Sequence, residues 1–163
     1  GMEGILENTF LNDKNTSKTI EANVTLNGSD EGIILCQGGK FGGWALYMND
    51  GKPGYTYNWF GLDRYTVESP TAIESDKATI KLTFDYDGGG IGKGGTAKLF
   101  VDGKMVAEGR IEKTQPAVFS ADETADVGVD DATQVVEDVF ADREESEFTG
   151  FVDSVQITIS DDE

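Results

Sequence analysis

The chain has 163 residues, enough for one domain with its own core and too few to expect two. Its 31 acidic residues against 13 basic ones leave a formal net charge of −18, which argues against binding nucleic acid or an anionic membrane, since both need Lys and Arg to meet phosphate. With no histidine and a single cysteine, Ser-His-Asp and Cys-His nucleophile systems, His-ligated zinc and an intramolecular disulfide are all excluded.

Taken in chain order, residues 1–18 read as a polar N-terminal lead-in, with no signal-peptide pattern. Ile20, Ala22, Val24 and Leu26 then alternate with Glu21, Asn23 and Thr25. A period of two buries one face and wets the other, which predicts a strand of an antiparallel sheet. After the turn at Asn27-Gly28-Ser29-Asp30 comes the apolar run Gly32 to Cys36, which predicts a buried strand with Cys36 as a small hydrophobe. Trp44 to Met48 and Tyr55 to Trp59 flank Asn49-Asp50-Gly51-Lys52, and Asp-Gly tolerates the positive φ angles of a type I′ hairpin. Further strands are expected over Arg64 to Glu68 and Ala78 to Tyr86. Thr96 to Val101 and Met105 to Arg110 should form a second hairpin about Asp102-Gly103.

Residues 112–148 are irregular and acidic, with short strands expected at Ala117 to Phe119 and Asp126 to Val129. Thr133 to Phe140 reads as a short helix or turn. Phe151 to Ile159 is the closing strand, followed by an acidic tail over 161–163. Many short strands punctuated by Gly and Asp turns predict an all-β fold, a two-sheet antiparallel jelly-roll sandwich occupying residues 19–160. No apolar stretch approaches the length of a membrane span.

Catalytic motifs fail on context. Gly90-x-Gly92-x-x-Gly95 matches a dinucleotide fingerprint in letters, but that motif works only where a strand leads into a helix, and Thr96 to Val101 reads as strand. No predicted strand carries the alternating carboxylates of sandwich-fold glycosidases, so no catalytic residue is assigned. Asp126 and Asp130 bracket Val127-Gly128-Val129 and are candidate calcium ligands, with turn residues as the alternative reading; no other cofactor is expected. The aromatic residues are more informative. Phe41, Trp44, Tyr47, Tyr57, Trp59, Phe60 and Tyr65 crowd together beside Lys40 and Arg64, and rings on a sheet face fill a core as readily as they stack on sugars or pack on a partner.

In the same region the string Cys36-Gln37-Gly38-Gly39-Lys40-Phe41-Gly42-Gly43-Trp44-Ala45-Leu46-Tyr47 resembles the accessory β-sandwich domain at the C-terminal end of bacterial arylsulfatases. So do the run Tyr57 to Val67, the Asp85 to Gly95 loop and the segment Gly109 to Asp126. The hairpin Leu99 to Lys104 and the ending Phe148 to Val155 resemble the wider concanavalin A-like, laminin G-like superfamily. The resemblance implies a non-catalytic domain that packs on a sulfatase catalytic domain, in cis or in trans. Lys40, Phe41, Trp44, Tyr47, Tyr57, Trp59, Phe60, Arg64 and Tyr65 would form the contact, and an isolated chain would self-associate to cover it. It also implies an exported or periplasmic protein. The sulfatase formylglycine motif has no counterpart, since Cys36 is followed by Gln37-Gly38-Gly39-Lys40. The alternative is a carbohydrate-binding module, with Trp44, Tyr57 and Trp59 as stacking platforms and Arg64 as a polar clamp.

Overall fold

A computed structural model describes residues 5–6, 16–115, 124–130 and 133–160. It contains strands β1 (Ile5–Leu6), β2 (Ser17–Thr25), β3 (Gly32–Gly39), β4 (Gly42–Asn49), β5 (Lys52–Trp59) and β6 (Asp63–Glu68). These are followed by β7 (Lys77–Tyr86), β8 (Gly95–Val101), β9 (Lys104–Ile111) and β10 (Thr124–Val127), a one-turn helix α1 (Arg143–Ser146), and β11 (Phe151–Ser160). The strands form two antiparallel sheets, one ordered β1-β10-β3-β4-β5-β6 and the other β11-β2-β7-β8-β9, as the jelly-roll expectation requires. Both Asp-Gly hairpins take the expected turn: Asp50 and Gly51 lie at φ 49° and 74°, Asp102 and Gly103 at 49° and 83°. The stretch read as a polar lead-in supplies β1, paired with β10, and the first two residues of β2. The strand expected at Ala117 to Phe119 lies outside the described residues.

Alternation builds the main core. From β2 come Ile20, Ala22 and Val24, and from β7 Ile80, Leu82 and Phe84; these face Trp44, Leu46, Met48, Tyr55 and Tyr57 of the six-stranded sheet. That sheet is covered on its other side too, which explains why β3 and β4 are apolar almost throughout. A register shift between Ile33 and Leu35 accommodates Ile34 as an extra residue, so Ile34 and Leu35 enter the main core while Ile33 and Cys36 face outward. The outward set Ile33, Cys36, Ala45 and Tyr47 is capped by Val135, Val136 and Phe140. Phe140 meets Tyr47 edge-on, with ring centroids 5.9 Å apart. Thr133 to Phe140 therefore forms a turn, stitched by Val139 and Phe140 N–H groups donating to the Val136 carbonyl.

The helix α1 was not expected from the sequence, although Asp142-x-x-Glu145 has the spacing of a capping box. Asp142 caps it by accepting from the Glu145 N–H, and Glu145 Oε2 in turn accepts from Ala141 N–H. Its buried Ser146 accepts from the Asp130 N–H at 3.1 Å and donates to the Asp130 carbonyl at 3.3 Å. This holds down the start of the covering segment.

Two strand glycines are packing devices. Gly54 lies opposite Tyr47 in the β4–β5 ladder, and a Cβ there would fall 2.7 Å from the Tyr47 ring. Gly95 is likewise covered by the Phe84 ring, at 2.5 Å from such a Cβ. Gly54→Ala should destabilise the domain by about 1–3 kcal/mol, the usual cost of overpacking, read as a lower midpoint in denaturant unfolding. Trp44→Ala, which empties a fully buried site, should cost about 3–5 kcal/mol.

Burial also pushes the Tyr47 phenol up to about 12, against a usual value of 10.0; its hydrogen bond with Thr56 works in the other direction. A raised folded-state value means that the native state holds its proton longer than the unfolded chain. The Tyr47 contribution is thus fully present below the unfolded value and lost as pH climbs through the folded one. Thermal midpoints measured across alkaline pH should begin to fall above about pH 10, and Tyr47→Phe should flatten part of that decline.

Candidate functional site

The turns β3–β4 and β5–β6 lie side by side at one end of the six-stranded sheet, brought together by the β4–β5 pairing that runs between them. At the second turn, Phe60 and Gly61 sit at φ 53° and 69°, and the Leu62 N–H donates to the Trp59 carbonyl. Left-handed backbone suits Gly61 but costs an aromatic residue about 1–2 kcal/mol. The strain displays the ring. Phe60 is 43% exposed, Leu62 75%, and Phe41 of the neighbouring turn 60%.

Two buried amides fix this end. Asn58, fully enclosed, donates through Nδ2 to the carbonyls of Gly39, Lys40 and Val135 at 3.0–3.3 Å and accepts from the Gly61 N–H at 2.8 Å. One side chain thus joins both turns to the covering segment. Gln115, also enclosed, fills the space beside Gly42, where a Cβ would fall 2.0 Å from Gln115 Oε1. The same oxygen accepts from the Phe60 N–H at 3.5 Å, and the Gln115 N–H donates to the Tyr57 hydroxyl at 2.8 Å.

The ledge has an aromatic floor and a charged rim. Half-buried Trp59 meets Phe60 edge-on at 5.1 Å, and Lys113 Nζ lies 4.5 Å from the Trp59 ring centroid and 3.6 Å from Asp63. Lys40 Nζ stands 5.0 Å from the Phe41 ring centroid. Apolar surface edged by cations and a carboxylate suits a ligand with both an apolar face and hydroxyl groups.

The structure sorts the residues that sequence reasoning had grouped. Lys40 with Phe41 and Trp59 with Phe60 form two pairs on the neighbouring β3–β4 and β5–β6 turns that make up the ledge. Trp44, Tyr47 and Tyr57 lie elsewhere: all three are buried, Trp44 and Tyr57 in the main core and Tyr47 under Phe140. Trp44 and Tyr57 therefore offer no surface on which a sugar could stack, because both faces of their sheet are covered. Tyr65 is half-buried against the same core. Arg64 pairs with Glu137 at 3.1 Å and lies 3.7 Å from Asp138, so it fastens the acidic covering segment rather than serving as a clamp for ligand. Leu62, Lys113, Asn58 and Gln115 belong to the site or its footing and were missed. The spacing Asn58-x-x-Gly61 was the available signal, a side chain that closes a left-handed turn.

Asp126 and Asp130 are buried beside Cys36, with donor atoms of all three within 4.8 Å of one another. Asp130 Oδ2 accepts from the Val135 N–H at 2.7 Å, and its carbonyl accepts from Gln134 Nε2 at 3.0 Å, a loop-closing role. Two carboxylates with a soft thiol are not the all-oxygen shell that calcium takes. The donor set thus does not suit that ion.

No protein-family model matches the chain, and no curated protein matches it in sequence. Solved structures do. A carbohydrate-binding domain, CBM40, of the Ruminococcus gnavus IT-sialidase, bound to α2,3-sialyllactose, superposes with a TM-score of 0.57 at 18% identity over 90% of this chain and 78% of that one. A heptameric SAP-like pentraxin from Limulus polyphemus gives 0.53 at 14% identity, over 91% and 71%. The LG4-5 domains of the mouse laminin α1 chain give 0.58 at 12% identity, over 96% of this chain and 39% of that one. These likenesses, all below 20% identity, show the fold: a two-sheet antiparallel jelly-roll sandwich, concanavalin A-like in architecture.

Proposed function

We propose that this chain is a non-catalytic carbohydrate-binding module, and that the ledge formed by Phe41, Trp59 and Phe60 is where a sugar ring stacks. The observation that carries this reading is Phe60: an aromatic side chain held out to solvent by a left-handed backbone that glycine would occupy without strain. Lys40, Asp63 and Lys113 stand around the rings and supply hydrogen bonds to hydroxyl groups. The sialyllactose complex of the R. gnavus domain supports a glycan as ligand for this fold, and lectin-type neighbours support a binding role without catalysis. A shallow ledge favours weak binding, with Kd of about 0.1–1 mM, equivalent to roughly −4 to −5.5 kcal/mol. The net charge of −18 disfavours highly sulfated chains, so neutral or singly anionic glycans are the expected ligands.

The arylsulfatase kinship implied by the sequence is a narrower proposal, in which the same ledge docks on a catalytic domain. A panel of neutral, sialylated and sulfated oligosaccharides separates the two. Saturable binding to a subset, weakened at least about tenfold by Trp59→Ala, supports the module. A flat response over the whole panel contradicts it and favours the docking surface.

Phe60→Gly should separate function from stability. It relieves about 1–2 kcal/mol of backbone strain and forfeits an aromatic pair worth about 0.5–1.5 kcal/mol, so the two effects nearly cancel. The thermal midpoint should stay within a few degrees of the parent while glycan binding is lost.

A further inference from the structure

The cations at the ledge end are not equivalent. Arg64 meets Glu137 at 3.1 Å and Asp138 at 3.7 Å, and Lys113 meets Asp63 at 3.6 Å. Among the described residues Lys40 makes no ion pair, and its ammonium stands 5.0 Å from the ring centroid of exposed Phe41. A cation already neutralised by a carboxylate must give up that partner before it can serve a ligand. One resting on an exposed ring gives up only a weak contact. The backbone beneath Lys40 is also held on every side. Its N–H donates to Thr133 Oγ1 at 3.1 Å, and its carbonyl accepts from Asn58 Nδ2 at 3.0 Å. Gly61, next to Phe60, packs on the same carbonyl, where a Cβ would fall 2.9 Å from the oxygen. All these contacts use main-chain atoms of Lys40. They fix where the side chain starts, between the two aromatic turns, and leave its charge uncommitted.

We infer that Lys40 sets the specificity of the ledge, for a glycan that carries one anionic group, a carboxylate or a sulfate ester, beside the stacked ring. The inference rests on the reading of the ledge as a glycan site. On binding, the ammonium exchanges the face of Phe41 for a charge-assisted hydrogen bond to the anion, while the sugar ring lies on the aromatic side chains. A lysine is a point charge without the planar fork of arginine, so it reads the charge of the anion and not its shape. Carboxylate and sulfate ester are therefore both admitted. A second anionic group is not: Lys113 and Arg64 are already matched by carboxylates, and a chain of net charge −18 repels what no cation meets.

Titrations of the full chain with matched sugars, followed by NMR, test this: sialyllactose against lactose, cellobiouronic acid against cellobiose, and monosulfated lactose against lactose. At least one charged sugar should bind about three- to tenfold more tightly than its neutral partner. The pairs that show the preference tell carboxylate from sulfate. In the parent chain the preference should shrink towards unity between about 20 and 500 mM salt, a reading that needs no variant. Lys40→Gln should bring the ratio close to one at low salt, with circular dichroism unchanged because the hydrogen bonds of Lys40 belong to its backbone. Lys40→Arg and Lys113→Gln should both keep the preference. Charged and neutral sugars bound alike, or a preference that survives Lys40→Gln, overturn the role of Lys40 and leave the carbohydrate-binding reading standing. Binding of no sugar at all overturns that reading and this inference with it.

Discussion

One buried amide organises the ledge end of this domain. Asn58 sits on the outer face of a sheet that is covered on both sides, where an unmet hydrogen-bonding group costs about 1–3 kcal/mol. Its Nδ2 donates to carbonyls of the β3–β4 turn and of the covering segment, and its Oδ1 accepts from the β5–β6 turn. Three pieces of chain far apart in sequence therefore share one set of hydrogen bonds. Gln115 does comparable work from below, filling the space that Gly42 leaves open and reaching the strained Phe60 backbone. Without such fixtures an aromatic residue at φ 53° would relax, and the ring would lose its presentation.

The covering segment also explains how so acidic a chain folds compactly. Val135, Val136 and Phe140 bury against Tyr47 and Ile33, while Glu137 and Asp138 stay outside and meet Arg64. Exposed pairs of this kind add little stability, so the segment is held chiefly by its apolar residues and by the hydrogen bonds of Asp130 and Ser146. At the ledge, Lys40 and Lys113 bring positive charge to a place where the overall field is negative.

Much of the architecture was legible in the sequence. Period-two alternation over Ile20–Leu26 and Ala78–Tyr86, with Asp-Gly at both hairpins, located the strands because each of those segments has one wet face. The strand β10 and the turn over residues 133–140 were visible only in outline, since their order comes from contacts with distant strands. Alternation failed to sort the aromatics of β4 and β5. Where both faces of a sheet are buried, period two cannot say which rings lie outside, so Trp44 and Tyr57 looked like platforms although they are core. Gln115 was invisible for a different reason: its hydrogen bonds reach residues more than fifty positions away and leave no local pattern, whereas Asn58 left only the faint signal of its spacing to Gly61.

The proposed function stands or falls with the ledge as the surface that meets sugar. Titrating the isotopically labelled chain with sialyllactose and with neutral oligosaccharides, and following the aromatic resonances by NMR, tests this most directly. Binding at the ledge predicts saturable shifts concentrated on Phe41, Trp59 and Phe60, with Phe100 and Phe151 of the opposite sheet left unmoved. Shifts that map to the opposite sheet, or none with any sugar at millimolar concentration, would contradict it.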